Sequence, residues 1–346
     1  MGLNEKFFKT SAVDDTPNFA PILYTGNWNG SNTNTVEVGF RPDWIWIKRR
    51  DGADGHHLYD SVRGMGKVIQ TNNTGAENAS SHVNTTSTGF TLLTDNVNQN
   101  GNLFIAWCWK GGGSSVQNND GSIQGANCLV SANVDKGFSI IKWRGNATNG
   151  ATIGHGLDSA PELIIHKGLT NPTSWIIGIG GISGFSNSDY LQFSTAAKSN
   201  SSTFFQGYGS STFTVGVSSA NEMNKNSSNY YIGYAFHSVS GYQKVGKYLG
   251  TGGSLSVYTT DDGSSTGANG FQPRFVMIKK ADDSGGNWVI IDEPRGSGSI
   301  RVYPNSTSEE HSGQGESFFS NGFHPRASST TDTNVLNKTF IYLAIA

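Results

Sequence analysis

The sequence VGFRPDWIWIK at residues 38–48 decides the fold, because the chain contains two further versions of it. They read HGLDSAPELIIHK at residues 155–167 and NGFQPRFVMIKK at residues 269–280. Each version runs from a glycine through a proline into a short apolar strand that ends in lysine. The period of about 115 residues is too long for a solenoid unit and suits a whole small domain.

Two other phrases recur behind it in the same order. The first is an apolar run that ends on glycine, HLYDSVRG, SWIIGIGG and NWVIIDEPRG, and the second is an aromatic strand, NLFIAWCW, NYYIGYAF and KTFIYLAI. We therefore predict three tandem homologous domains after an N-terminal extension at residues 1–18. They are repeat 1 at residues 19–113, repeat 2 at residues 114–241 and repeat 3 at residues 242–346.

Nearly every apolar stretch is about five residues long, β-branched or aromatic, and bounded by glycine, asparagine, aspartate or proline. This pattern is typical of short strands joined by turns. Trp44 and Trp46 point to one face of their strand and Ile45 and Ile47 to the other, so both faces are expected to be covered. The predicted fold is all-β, with three antiparallel β-sandwich, jelly-roll-like domains and very little helix.

The chain of 346 residues carries a formal net charge of −2, and only 14% of its residues are charged. Such a low and balanced charge gives no electrostatic footprint for nucleic acid. No apolar run approaches the ~18 residues that span a bilayer, so no membrane insertion is predicted. The first residues, MGLNEKFFKTSAVDD, lack the apolar core of a secretory signal. Cys108 is expected to be a buried free thiol, with a disulfide to Cys128 as the alternative.

The most specific polar motif is Asp-x-x-Arg-Gly, which occurs at Asp60 and Arg63 in repeat 1 and at Asp292 and Arg295 in repeat 3. Repeat 2 has Gly-Ile-Gly-Gly at residues 178–181 instead. An ion pair that ties a strand end to its turn explains this spacing, and a binding site is the other explanation. We predict the structural role.

No catalytic, cofactor-binding or metal-ligating residue is predicted. The sequence has no Gly-x-Ser-x-Gly elbow and no local Cys–His pairing. His56, His57, His155 and His166 lack the spacing of a zinc site. Two Asp-Asp turns in repeat 3 have the oxygen density of a calcium loop without its full pattern, and turn chemistry explains them equally well. Paired carboxylates for glycoside hydrolysis remain open, because they need only be close in space.

Aromatic side chains beside asparagine suggest a platform on which a sugar ring could stack. Trp28, in the turn GNWNG, is the best exposed candidate, with Trp143 and Tyr208 behind it. The remaining tryptophans occupy strand positions and are expected in the core: Trp44, Trp46, Trp107, Trp109, Trp175 and Trp288.

The recurring phrases resemble a repeat family of uncharacterised function in structural proteins of tailed bacteriophages, especially marine ones. Members are often described as tail-fibre or virion proteins. The similarity covers residues 19–346 and consists of structural phrases such as GFRPDWIWIKRR, GYQKVGKYLGTGG and NWVIIDEPRG. The resemblance implies a location in the virion, after synthesis in the host cytoplasm, and a role without catalysis.

The expected function is that of a bacteriophage virion structural protein, either a tail fibre or a capsid-decorating projection, that mediates assembly contacts and host attachment. A lectin-like receptor-binding protein and a polysaccharide depolymerase are the alternatives. The expected partners are other virion proteins, host-surface glycan and further copies of the chain in a trimer, since repeated weak sites gain avidity. Phe7 and Phe8 form an apolar pair outside the repeats and are the candidate virion-anchoring residues.

Overall fold

The computed structural model describes residues 17–313, 315–326 and 332–346. It is all-β, as predicted, with 41% of the residues in strands and 2% in helix. Within these ranges no helix combines the length and hydrophobicity needed to cross a membrane. Phe7 and Phe8, the candidate anchoring residues, lie outside the described residues.

Repeat 1 forms the first nine strands, with a 3-10 turn at Asp95–Val97 before the last of them. They are β1 (Phe19–Thr25), β2 (Asn34–Glu37), β3 (Trp44–Arg49), β4 (His56–Asp60), β5 (Lys67–Gln70), β6 (Asn78–Ala79), β7 (Val83–Thr85), β8 (Gly89–Leu92) and β9 (Leu103–Trp109). The large sheet has the order β1-β9-β3-β4-β5-β6, and the small sheet has the order β2-β8-β7.

Repeat 2 forms eleven strands, with a 3-10 turn at Val134–Lys136. They are β10 (Val116–Asn118), β11 (Gly125–Asn133), β12 (Phe138–Arg144), β13 (Ala151–Gly154), β14 (Leu163–Gly168), β15 (Trp175–Gly178), β16 (Asp189–Leu191), β17 (Ser199–Asn200), β18 (Phe205–Tyr208), β19 (Thr212–Val215) and β20 (Tyr230–Phe236). The large sheet runs β10-β11-β12-β20-β14-β15-β16-β17, and the small one runs β13-β19-β18.

Repeat 3 forms the remaining strands. They are β21 (Gln243–Leu249), β22 (Val257–Tyr258), β23 (Phe275–Lys280), β24 (Val289–Asp292), β25 (Arg301–Val302), β26 (Ser317–Phe319), β27 (Gly322–His324) and β28 (Thr339–Ile345). The large sheet has the order β21-β28-β23-β24-β25 and the small sheet the order β22-β27-β26.

The same antiparallel arrangement therefore occurs three times. In each large sheet the aromatic strand (β9, β20 or β28) lies between an earlier strand of the repeat (β1, β12 or β21) and the strand of the WIWIK phrase (β3, β14 or β23). The recurring lysine takes the same register position each time. Its neighbours on the aromatic strand are Ile105 for Lys48, Ile232 for Lys167 and Ile341 for Lys279.

Each repeat has a sandwich-like layer of its own. The outward-facing residues of the large sheet pack against the small sheet of the same repeat. In repeat 1, for example, Ile45 and Ile47 share a buried cluster with Val36 and Phe90. Burying the alternate side chains of β3 in this way explains one of its two apolar faces.

The inward-facing residues of the three large sheets form one common core. Ring contacts join every pair of repeats: Trp44–Tyr234 with centroids 4.2 Å apart, Trp107–Phe275 at 6.0 Å and Phe193–Trp288 at 5.1 Å. The three sheets thus surround a single hydrophobic interior, to which each contributes large aromatic rings. The tandem jelly-roll arrangement of separate domains is not confirmed, because the apolar inner face of each repeat is covered by the other two.

Polar contacts between the repeats follow a cyclic pattern. A ring nitrogen at or just before the start of the second strand of each WIWIK hairpin bonds to a main-chain carbonyl of another repeat: His56 Nε2 to Tyr303 at 3.1 Å, Trp175 Nε1 to Gln70 at 2.8 Å and Trp288 Nε1 to Gln192 at 2.7 Å. These bonds run from repeat 1 to repeat 3, from repeat 2 to repeat 1, and from repeat 3 to repeat 2. The arrangement closes into a ring within one chain.

The strands with two apolar faces are covered inside this ring. In β20 and β28 every residue after the first is buried. Neighbouring repeats of the same chain cover their inner faces. A homotrimer remains a prediction.

Candidate functional site

The recurring lysines are structural. All three are buried, and their ammonium groups donate hydrogen bonds to main-chain carbonyls: Lys48 to Thr307 at 3.2 Å, Lys167 to Thr74 at 3.0 Å, and Lys279 to Gly286. The first two of these bonds join different repeats. Burial lowers the pKa of each lysine to about 8.

Asp60 and Arg63 form a buried ion pair, with Nε of the arginine 2.5 Å from Oδ2 of the carboxylate. Oδ1 accepts the main-chain N–H groups of Val62 and Arg63, so the carboxylate also closes the turn. The hydroxyl of Tyr234 in repeat 2 donates to Oδ2 at 2.7 Å. The sequence placed the pair at a strand end, and the tertiary structure adds the link between repeats.

Asp292 and Arg295 repeat this geometry. The guanidinium lies 2.7 Å from Oδ2 of the aspartate, and both side chains are fully buried. The indole Nε1 of Trp107 in repeat 1 donates to the same carboxylate oxygen at 2.8 Å. Arginine therefore pairs with aspartate at a second junction between repeats, and neither pair is open to a ligand.

Repeat 2 has apolar residues where the other two have the ion pair. The hairpin register places Ile179 where Asp60 stands, and Ile182 follows three residues later in place of Arg63. Both isoleucines are in the common core. The position that Tyr234 occupies on the aromatic strand is Leu343 in repeat 3. Repeat 2 therefore lacks the Asp–Arg pair, and repeat 3 has the apolar Leu343 at the position from which Tyr234 of repeat 2 bonds to Asp60 of repeat 1.

An open cleft of about 830 Å³ lies at the junction of repeats 1 and 2. Asp43 and Asp135 both line it. Asp43 is buried, and its Oδ2 accepts the main-chain N–H groups of Gly111 and Gly113 at 2.9 and 3.2 Å. In repeat 2, Glu162 accepts from Ser238 in the same way. These carboxylates hold the segments that connect the repeats.

Most of the histidines singled out from the sequence are buried and bonded to the main chain. His155 Nε2 lies 3.1 Å from the carbonyl of Gly209, and His166 Nε2 lies 2.6 Å from that of Glu222. Burial lowers the pKa of His166 to about 4. Within residues 17–313, 315–326 and 332–346, no three histidine, cysteine, aspartate or glutamate side chains form a group suited to a metal ion.

Of the three aromatic platform candidates, only Trp28 lies in a loop at the surface. Trp143 is buried at 1% exposure, stacked on Tyr231, so its prediction as an exposed ring was wrong. Tyr208 packs in parallel on Phe205 and its hydroxyl is buried. Both rings fill the layer between the large and the small sheet of repeat 2, because burying the facing surfaces of the two sheets requires large apolar groups.

The Trp28 loop is built on a buried asparagine. Oδ1 of Asn98 accepts the main-chain N–H of Asn27 at 2.9 Å, and its carbonyl accepts that of Trp28 at 2.8 Å. Two further side-chain contacts, from Asn98 to Asn27 and from Asn34 to Asn98, complete the amide cluster. The indole is half-buried, and the residues that follow it, from Asn29 onward, are exposed.

The other repeats build the same loop without an aromatic residue. Asn224 and Asn334 stand for Asn98, and each accepts the same two main-chain N–H groups. The residue that bonds to the asparagine carbonyl is Ala147 in repeat 2 and Gly252 in repeat 3. The anchoring hydrogen bonds therefore form with a methyl group or no side chain at this position and do not require the indole of Trp28. The backbone differs there, because Ala147 and Gly252 have left-handed φ angles of 59° and 69° that Trp28 does not share.

Polar side chains next to Trp28 can supply directional hydrogen bonds. Gln99 forms an isolated β-bridge with Trp28 through the main chain. Its side-chain oxygen accepts a hydrogen bond from Arg49 at 3.2 Å. Arg49 also pairs with Asp51 at 2.9 Å, and both side chains are partly exposed. An aromatic face beside amide, guanidinium and carboxylate groups offers stacking and hydrogen bonding together.

The supporting asparagines were not identified from the sequence. Asn98, Asn224 and Asn334 lie in dissimilar local sequences, Val-Asn-Gln, Met-Asn-Lys and Thr-Asn-Val. The only available signal was their place before each aromatic strand. The recurrence becomes visible when the hydrogen bonds are compared.

A comparison with protein-family models gives one result. The model for a domain of unknown function, DUF7483, matches residues 14–346. No curated protein and no solved structure matches the chain. Because the family match covers nearly all of the sequence, including the three repeats described above, the chain belongs to the DUF7483 family.

Proposed function

We propose that this protein is a non-catalytic structural protein of a bacteriophage virion, a tail fibre or a capsid-decorating projection, and that it attaches to host-surface glycan through the Trp28 loop. The resemblance of its repeats to phage structural proteins supports the location. The comparison of the three loops supports the attachment site. The position of the half-buried indole of Trp28 is held by Ala147 in repeat 2 and by Gly252 in repeat 3. The proposal depends on this single observation.

The finer architecture is part of the same proposal. The three repeats are homologous copies of one β-sandwich module that have become parts of a single body. Their equal register and cyclic hydrogen bonds support this origin. In such a body the copies keep the scaffold residues and differ in their loops, so one copy can acquire a ligand contact without loss of the fold.

Binding of the purified protein to host cells, and to glycan extracted from them, tests the attachment site. The Trp28→Ala variant is expected to lose about fivefold to 150-fold in affinity, because one stacking ring contributes about 1–3 kcal/mol by analogy with other aromatic platforms. Tyr230→Ala is the matched control, since Tyr230 is 41% exposed on a different repeat. Equal binding by wild type and Trp28→Ala would exclude the loop as the attachment site.

The N-terminal extension is proposed to anchor the protein to the particle. Phe7 and Phe8 have the apolar character of a short docking peptide and precede the first repeat. A truncation that lacks residues 1–15 should keep its fold and glycan affinity and lose incorporation into particles. Normal occupancy on assembled particles would contradict the anchoring role, and light scattering of the same sample would show whether a trimer forms.

A further inference from the structure

A second cavity, of about 360 Å³, lies in repeat 1 close to the Trp28 loop. Its polar walls are two imidazoles and four side-chain amides: His57, His82, Gln70, Asn73, Asn78 and Asn96. Asn96 belongs to the segment that continues into Asn98 and Gln99, which support Trp28. The cavity and the loop are therefore connected by one short stretch of chain.

His57 is held in this wall with an unused ring nitrogen. The side chain is 7% exposed, and its Nδ1 is buried without a hydrogen-bond partner. On the other side of the ring, Nε2 lies 3.4 Å from the side-chain amide nitrogen of Gln70 and 3.6 Å from Oδ1 of Asp54. Nδ1 is a donor or an acceptor according to the tautomer, and in either state it has a hydrogen-bonding position without a partner. Nδ1 of His82, in the same cavity, is also buried without a partner.

The other repeats show that the fold does not need these imidazoles. His57 faces Ile47 across the hairpin, and the matching residues are Ile176 in repeat 2 and Val289 in repeat 3. The main-chain carbonyl of His82 accepts a hydrogen bond from Leu93, just beyond β8, and that of Phe204 in repeat 2 accepts one from Gly216, just beyond β19. Ile176, Val289 and Phe204 are all buried. Repeat 1 thus has an imidazole where both other repeats have an aliphatic residue, and a second one where repeat 2 has phenylalanine.

The walls of the cavity select for an uncharged ligand. All of its lining residues are described by the structure, and none of them is aspartate, glutamate, lysine or arginine. Imidazole nitrogen accepts a hydrogen bond from a hydroxyl group, and each amide both donates and accepts. The volume lies within the range of small-molecule sites, about 300–1,000 Å³.

We propose that this cavity binds one neutral sugar residue, whose hydroxyl groups form hydrogen bonds with Nδ1 of His57 and with the surrounding amides. The inference rests on the proposed function in one respect: the sugar is a residue of the glycan that Trp28 contacts. The Trp28 loop would then hold the neighbouring part of the chain, and the cavity would decide which sugar is accepted.

Imidazole NMR signals of the full chain give a direct test, with free glucose, galactose, mannose, rhamnose and N-acetylglucosamine as probes. At least one sugar should shift the ring signals of His57 and His82 in a saturable way. His57→Ile and His82→Phe, which introduce the residues of repeat 2, should each weaken binding by about tenfold or more. Asn149→Ala, which changes an exposed amide in repeat 2, is the control and should bind as wild type does.

The Trp28→Ala variant separates this inference from the proposed function. It should still bind the free sugar in the cavity, while its affinity for the whole glycan falls. If His57→Ile binds the whole glycan as tightly as the wild type does, the sugar site in the cavity is excluded and the proposed role of Trp28 is unaffected. Ring signals that respond to none of the five sugars, or only to Zn²⁺, overturn it as well, the second result in favour of a metal ion.

Discussion

The hydroxyl of Tyr234 donates a hydrogen bond of 2.7 Å to the carboxylate of Asp60, and this bond joins repeat 2 to repeat 1 inside the common core. The same carboxylate receives the guanidinium of Arg63. A local ion pair of repeat 1 is therefore completed by a neighbouring repeat. Because the hydroxyl of Tyr234 is buried, it depends on this carboxylate for its hydrogen bond.

Removal of the Tyr234 hydroxyl tests this link. Tyr234→Phe should lower the free energy of unfolding by about 1.5–3 kcal/mol, the range for a hydrogen bond to a charged group. Urea denaturation would measure it, with Tyr230→Phe as the control on the exposed end of the same strand. A change below about 0.5 kcal/mol would mean that Asp60 is satisfied without Tyr234.

Arg63→Ala should be more costly, because it leaves a buried carboxylate without its cation. We expect a loss of about 3–5 kcal/mol in the free energy of unfolding. The double variant Asp60→Ile with Arg63→Ile, which copies Ile179 and Ile182 of repeat 2, should lose less than the single variant. Adding Tyr234→Leu, which copies Leu343 of repeat 3, should recover further stability. A double variant that is less stable than Arg63→Ala would contradict the equivalence of the repeats.

Unfolding is expected to be a single cooperative event. The repeats share one core, so none can lose its structure without exposing the inner faces of the others. Calorimetry of the full chain should show one transition. An isolated fragment of residues 114–241 would expose the inner rings Phe138, Tyr234 and Phe236, and should be unfolded or aggregated. A monomeric, cooperatively folding fragment would instead favour independent domains.

Stability should rise with pH between about 8 and 10. The pKa of Lys48, Lys167 and Lys279 is about 8 in the folded protein, because of burial, against an ordinary value near 10.5. In this interval the unfolded chain holds protons that the folded chain has lost, so the free energy of unfolding increases with pH. The buried thiols of Cys108 and Cys128 act in the opposite direction above about pH 9, and the buried tyrosines do so above about pH 10, because burial raises their pKa. Three lysines outweigh two thiols, so the rise becomes shallower above about pH 9.

Urea midpoints across this interval would measure the effect. Lys48→Met should remove at most one proton from the pH dependence, which is about 1.4 kcal/mol per pH unit. Lys225→Met, in a connecting loop, should leave the slope unchanged. Stability that falls steadily from pH 8 to 10 would show that the lysines keep their charge in the folded protein.

The phrase VGFRPDWIWIK and its two relatives predicted the all-β class and the equivalence of the lysines, since strand periodicity and repetition are visible along one dimension. The repeated Asp-x-x-Arg spacing likewise indicated local ion pairs. Trp143 was misjudged because a ring in a Gly-bounded strand can serve the core or the surface, and periodicity alone does not distinguish them.

The sequence by itself determined what neighbouring residues decide: short strands, their turns and the Asp–Arg pairs at their ends. Only the tertiary structure decided that the inner faces of the three repeats cover one another, since packing joins residues as distant as Trp107 and Asp292. It also showed that an asparagine anchors the loop in every repeat whereas Trp28 occurs in only one. The residues that match His57 in the other two repeats are apolar. Such comparisons depend on register, which pairing between distant strands fixes.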